Sequence, residues 1–244
     1  MATRFSVTKA PSYCIPTRRK YPGDLTMGTL QLVADPDNLP RDVLERVFLT
    51  DVGGKPTHCR CSWEKPAAAG TSGVLRLQFE GDDSHYVNIP WMVESGASML
   101  LATATLRQRD QPYVLSLEIL RGLLHRITNQ VAEWQAAAFT VLDPNESRLS
   151  QLLSKFSTAA TRSHDVATCH RVSVQAITTA IELLDDIGNR LTQQFAQANQ
   201  DTVKTTLIGS KLPATDLSKD HEETFCSFFD TAAIDTNWLS LIHI

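Results

Sequence analysis

Alternation of hydrophobic and polar residues marks the front of the chain as β-rich. Leu75, Leu77 and Phe79 alternate with polar neighbours, which is the two-residue period of a half-buried strand. Turn-forming residues separate this run from other short runs of strand-forming residues, over 29–33, 58–63, 86–93 and 98–106. Several short strands between turns predict a β-rich, sandwich-like domain over residues 27–111.

From residue 112 onward the hydrophobic period lengthens to three or four residues. A capping box at 143–146 predicts the start of one helix, and another is expected over Asp165–Ala198. Long apolar stripes cannot be hidden by a single helix, so the pattern predicts a long-helix hairpin or bundle that connects residues 112–200. The two longest stripes are Leu117, Leu120, Leu124, Ile127, Val131 and Trp134, and Ile177, Ile181, Leu184, Gly188, Leu191 and Phe195.

The last part of the chain, residues 203–244, has the pattern of a strand, a helix and a strand. A short apolar run over Thr205–Ile208 precedes Gly209, a helix is expected over Lys219–Phe229, and a second strand begins at Asp230. This order predicts the opening of a βαβ unit. The predicted fold class is therefore α+β: a β-sandwich, a long-helix hairpin or bundle, and an incomplete βαβ start.

Composition and charge narrow the function classes. With 42% hydrophobic and 20% charged residues the chain can bury a sizeable core, and its net charge of −4 gives no drive toward nucleic acid or anionic membranes. An irregular lead-in over residues 1–26 is basic. No apolar run approaches the length of a membrane span, and no secretory signal is recognised. Five cysteines without such a signal favour reduced thiols and a cytoplasmic protein.

The segment from Phe228 to Trp238 resembles the start of the barrel in glycoside hydrolase family 10, the xylanase type. In that family a strand ends near a glycine, a helix follows, and the next strand begins with Phe-Asn and ends with Lys-Trp. Here Phe229-Asp230 stands at the Phe-Asn pair and Trp238 at the tryptophan. The helical stretch from Tyr113 to Trp134 is similar to a segment that precedes the barrel in some bacterial relatives of the family.

The resemblance implies that residues 203–244 begin a (β/α)8 barrel whose catalytic glutamates lie on later strands. We therefore assign no catalytic residue to this chain. We expect a non-catalytic N-terminal part of a family 10-like protein, with hydrolysis of β-1,4-linked glycans only in a longer parent. One departure is that Asn237 stands where the family has its lysine, so part of the sugar-binding set is missing.

Five residues are candidates for binding carbohydrate. Asn237 and Trp238 follow from the resemblance. Trp63, Tyr86 and Trp91 lie in the β-rich part, where aromatic rings exposed together on one sheet face could stack sugars. Buried singly, the same rings would belong to the core, and we favour the core because large aromatics supply much of the buried area of a small domain.

Other groupings of reactive residues give no site. Cys59 and Cys61 point to one face of a strand and His58 to the other, so the expectation is two structural thiols and no metal ion or other cofactor. Ser163-His164-Asp165 are adjacent in sequence, whereas a catalytic triad is assembled through space.

Two alternatives remain beside the glycosidase-like interpretation. The helices over 113–198 could form a protein-interaction module or a homodimer, although an intrachain hairpin explains their spacing equally well. A self-sufficient enzyme ranks last, because no convergent catalytic set is recognised.

Overall fold

The computed structural model describes residues 27–64, 72–93, 96–142, 145–199, 207–212 and 218–234. The fold is mixed α and β, and the chain divides into two compact units, Met1–Leu115 and Ser116–Ile244. The first unit holds eight of the described strands: β1 (Met27–Ala34), β2 (Phe48–Thr50), β3 (Pro56–Thr57), β4 (Cys59–Glu64), β5 (Gly73–Glu80), β6 (Tyr86–Met92), β7 (Ser98–Ala102) and β8 (Tyr113–Val114). A short helix, α1 (Val43–Arg46), precedes β2.

These strands form two four-stranded sheets within the described residues, in the orders β4-β5-β1-β8 and β3-β2-β6-β7. All neighbours are antiparallel except β1 and β8, which are parallel. The predicted alternation over β5 is confirmed, because Leu75, Leu77 and Phe79 are buried while Gln78 is exposed. The partners of these buried residues across β1 are Leu32, Leu30 and Gly28, so one face of this sheet is a continuous apolar layer.

Two glycines leave the space in which aromatic rings pack on this apolar layer. A Cβ on Gly28 would lie 2.5 Å from the ring of Phe79, and a Cβ on Gly73 would lie 2.3 Å from the indole of Trp63. Both distances are far shorter than van der Waals contact, so each ring occupies the space that a side chain would need. These glycines therefore serve packing, not turn formation.

The second unit contains α2 (Leu115–Ala136), which begins in the first unit, α3 (Glu146–Thr161) and α4 (Val166–Ala198). Ser116 bonds His170, and Thr140, after the end of α2, exchanges two bonds with Gln194. Both contacts join residues 54 apart, so α2 and α4 run parallel in matched register. Only four residues separate α3 from α4, and Arg148 at the start of α3 pairs with Glu182 and Asp186 in the second half of α4, so α3 runs antiparallel to α4 and the three helices alternate up, down and up.

The predicted stripe of α2 is confirmed from Leu117 to Val131, whose five members are all buried. The stripe of α4 is different. Phe195 is 54% exposed, and the buried face of the helix includes three small residues, Ser173, Ala176 and Ala180. Small side chains let neighbouring helices approach closely, and a search for large apolar residues overlooks them. The predicted stripe of α4 is therefore confirmed at Ile177 and wrong at Phe195, and the predicted bounds agree with the helix to within one residue.

The end of the described chain forms a parallel strand pair, β9 (Gly209–Leu212) and β10 (Thr231–Ile234), joined through α5 (Lys219–Phe228). The strand–helix–strand order agrees with the predicted one, but the first strand begins at Gly209, after the predicted run. A Cβ on Gly209 would overlap Oγ1 of Thr231, so a larger residue here would require the Thr231 side chain to move. Within the described residues the pair forms a two-stranded sheet and has no further strand.

Candidate functional site

The aromatic candidates for sugar binding are not brought together on one sheet. Trp63 lies on β4 of the first sheet, whereas Tyr86 and Trp91 lie on β6 of the second. Trp91 is 3% exposed and belongs to the core, which is the alternative that the sequence favoured. Tyr86 is half-buried and five positions from Trp91, so its ring points to the opposite face of the sheet. Trp63 is half-buried over Gly73.

The remaining two carbohydrate candidates, Asn237 and Trp238, lie outside the described residues. The resemblance that assigns them reaches the described part only through Phe228–Ile234. There the main-chain amide of Asp230 donates to the carbonyl of Ile208 (2.7 Å), and the amide of Ile208 donates to the Asp230 carboxylate (3.2 Å). Asp230, which the resemblance aligns with the asparagine of the Phe-Asn pair, thus bonds Ile208 with both its main chain and its side chain, just before the two parallel strands begin.

A polar cleft of about 650 Å³ opens in the first unit. Arg107 donates from Nε to Ser84 (3.0 Å), and Oε1 of Gln108 accepts from the main-chain amide of Thr29 (3.1 Å), so both cleft side chains are held in place. Carboxylates, a guanidinium group and an amide are groups that bind hydroxyl-rich ligands through hydrogen bonds. The residues lining the cleft are Met27, Gly81, Asp82, Asp83, Arg107 and Gln108.

A pair of thiols lies on the edge strand β4. The Sγ atoms of Cys59 and Cys61 are 3.6 Å apart, on the face of the strand that carries the apolar layer, and both side chains are half-buried. On the neighbouring strand β5, Phe79 pairs with Cys59 and Leu77 pairs with Cys61. The Cys61 thiol also lies 4.0 Å from the carbonyl oxygen of Val47.

The two thiols are chemically unequal. A hydrogen bond from Cys61 and a weaker one from the main-chain amide of Leu49 lower the pKa of Cys59 to about 7, although burial opposes them. The pKa of Cys61 is raised, first because its thiol donates to Cys59, then by burial and by the charge of Cys59. These shifts favour Cys59 as the thiolate of the pair and Cys61 as the donor to it.

A buried polar cluster joins α2 to α4, and sequence analysis did not find it. The Ser116 hydroxyl is 1% exposed and lies 3.1 Å from Nδ1 of the half-buried His170. Glu118, also buried, accepts from Nε and Nη2 of Arg121 at 2.7 and 2.6 Å. A serine that acts as a nucleophile must reach its substrate, and this one is enclosed. The cluster therefore fixes helix register.

The described residues contain neither a metal-binding cluster nor a membrane-spanning helix. Within these ranges, no three or more histidine, cysteine, aspartate or glutamate residues are placed to hold a metal ion. None of the described helices combines the length and apolarity needed to cross a bilayer.

Comparison with protein-family models, with curated proteins and with solved structures finds no match to this chain.

Proposed function

We propose that this chain is the non-catalytic N-terminal part of a glycoside hydrolase family 10-like protein, and that its β-rich unit binds a β-1,4-linked polysaccharide. The observation that carries the proposal is the parallel pair β9–β10 joined through α5, with Phe229-Asp230 at the entry to the second strand. Parallel strands joined through a helix are the repeating unit of a (β/α)8 barrel. In this proposal the two sheets of the first unit form a sandwich, and hydrolysis belongs to a longer parent.

The polar cleft of the first unit is the proposed sugar site. Its carboxylates, guanidinium group and amide offer both acceptors and donors to sugar hydroxyls. Tyr86 and Trp63 supply the half-exposed aromatic surface of the unit, while Trp91 is enclosed. We therefore assign orientation of the sugar to the cleft, and additional stacking to Tyr86 and Trp63.

Affinity electrophoresis in gels containing soluble β-1,4-xylan or hydroxyethyl cellulose tests the binding. We expect at least one of these glycans to retard the chain. Asp82→Ala combined with Asp83→Ala should abolish most of that retardation, because the cleft loses both carboxylates. Glu222→Ala combined with Glu223→Ala on α5 is the matched control, since it removes the same charge from another exposed surface. Unretarded migration in every β-1,4-glycan would contradict sugar binding.

A second measurement tests the kinship with glycosidases. We expect the 244-residue chain to release no reducing sugar from xylan, and the native protein to have an intact mass well above 27.0 kDa. A native mass of 27.0 kDa, or hydrolysis by the chain alone, would contradict the proposed non-catalytic part of a longer protein.

The homodimer through residues 113–198 stays a prediction. Intrachain packing of α2, α3 and α4 accounts for the helical spacing that suggested it. Sedimentation equilibrium at micromolar concentration distinguishes the monomer from the dimer.

A further inference from the structure

The Cys59–Cys61 pair combines three properties that a structural thiol does not need. The Sγ atoms lie 3.6 Å apart, close to direct contact. Both side chains remain half-buried, unlike the fully enclosed Cys169. Among the described residues β4 pairs with β5 alone, so the pair stands at the outer strand of its sheet.

We propose that Cys59 and Cys61 form a thiol–disulfide exchange site, which takes a low-molecular-weight disulfide such as oxidised glutathione as its oxidant and closes into an intramolecular disulfide. The shared face of the strand places the two sulfurs 3.6 Å apart, within reach of each other. Reactive dithiols of this kind pair an attacking thiolate with a neighbouring thiol that resolves the mixed disulfide.

The exchange proceeds in two steps. The Cys59 thiolate attacks one sulfur of the small disulfide RSSR, which forms the mixed disulfide Cys59–S–S–R and releases RS⁻. Cys61 then loses its proton and attacks Sγ of Cys59, which forms the Cys59–Cys61 bond and expels the second RS⁻. Two electrons pass from the protein to RSSR, and the protons of the two cysteines leave with two molecules of RSH.

The local hydrogen bonds suit the attack by Cys59 in the first step and the attack by Cys61 in the second. Before the reaction, Cys61 and the amide of Leu49 stabilise the Cys59 thiolate. Formation of the mixed disulfide removes the charge on Cys59, which is one of the causes of the raised pKa of Cys61. Cys61 can then ionise more readily, at the stage where its thiolate is needed.

Strand geometry predicts that the bond is reversible. Alternate Cα atoms of a strand are separated by about 6.6 Å, since the rise is about 3.3 Å per residue. Disulfides span Cα separations of roughly 4.4–6.8 Å, so this pair lies near the upper limit. A bond made under such strain is more easily reduced than a structural disulfide, which suits exchange with small thiols.

Mass spectrometry with oxidised glutathione tests the proposal. A background variant, Cys14→Ser with Cys226→Ser, removes one thiol outside the described residues and one that is exposed. We expect this background to lose two hydrogen atoms and retain no adduct. Cys61→Ser in the same background should hold one stable glutathionyl adduct at Cys59, and neither single variant should form the intramolecular disulfide, because each lacks the second thiol.

The unmutated chain provides a second readout that does not depend on folding of the variants. Trypsin cleaves after Arg60 in the reduced chain and places the two cysteines on separate peptides, whereas the disulfide keeps these peptides joined. Joined peptides that appear with oxidised glutathione and disappear with a reductant would support exchange. Separate peptides throughout, or a background variant that retains a glutathionyl adduct instead of losing two hydrogen atoms, would overturn it.

Discussion

The two units of the chain place their cysteines in opposite surroundings. Cys59 and Cys61 lie half-buried on an outer strand, with their sulfurs 3.6 Å apart. Cys169 lies on α4 with no exposed surface, and burial raises the pKa of its thiol. The same residue type is thus a reactive candidate in the β-rich unit and an apolar core group in the helical unit. Access and a neighbouring donor, more than residue identity, decide which role a thiol takes.

The largest expected difference is in the rate of alkylation by iodoacetamide. In the folded protein at pH 8 we expect Cys59 to react at least about a thousandfold faster than Cys169, whose modification waits for an opening of the helical unit. Because the pKa of Cys59 is lowered to about 7, its rate should rise up to that pH and level off above it. Peptide mapping of quenched samples measures both rates.

Unfolding in urea is the control, because it should make the two rates equal. A Cys59 rate that still climbs about three- to fivefold between pH 8 and 9 would show an ordinary thiol and remove the contrast.

An intermediate effect is expected from two glycine-to-alanine substitutions, one in each unit. Gly73→Ala should destabilise the fold by about 2 kcal/mol, because the new Cβ would lie 2.3 Å from the Trp63 ring. Gly188→Ala on α4 should instead stabilise it by about 0.5–1 kcal/mol, since nothing lies within 4 Å and alanine favours the helix. Urea denaturation followed by far-ultraviolet circular dichroism measures both.

Tryptophan fluorescence separates the two mechanisms. Gly73→Ala should shift the emission because Trp63 must move, while Gly188→Ala should leave it unchanged. A stable Gly73→Ala variant with unaltered emission would contradict the packing of Trp63 over Gly73.

Short-range periodicity predicted much of this architecture. Alternation located β5, and spacing of three and four located the buried stripe of α2. The expectation of same-facing thiols at Cys59 and Cys61 also followed from the two-residue period. That β4 is an outer strand, however, depends on its pairing with β5 and on the sheet order, which no local pattern encodes.

The rest of the candidate chemistry depends on contacts between distant residues. Ser116 meets His170 across 54 positions, and Leu49 reaches Cys59 from another sheet. The buried face of α4 was predicted only at Ile177, because its members Ser173 and Ala180 carry little hydrophobic signal. Trp91 and Tyr86 show another limit of local patterns. The two-residue period places them on opposite faces of one strand, but it does not say which face is covered by the rest of the protein.

The smallest expected effect tests whether the helical unit depends on charge at all. Arg148 on α3 bonds Asp186 and lies 3.4 Å from Glu182, and both carboxylates are at least half exposed. Exposed pairs of this kind contribute little, so Arg148→Met should destabilise the protein by about 0.5 kcal/mol. The loss should be smaller in 1 M than in 0.1 M salt, since the screening length falls from about 10 to about 3 Å.

A double-mutant cycle with Asp186→Asn isolates the coupling between Arg148 and Asp186 from the packing of the arginine stem. A coupling above about 2 kcal/mol, unchanged by salt, would mean that this ion pair stabilises the packing of α3 on α4 far more than an exposed pair does.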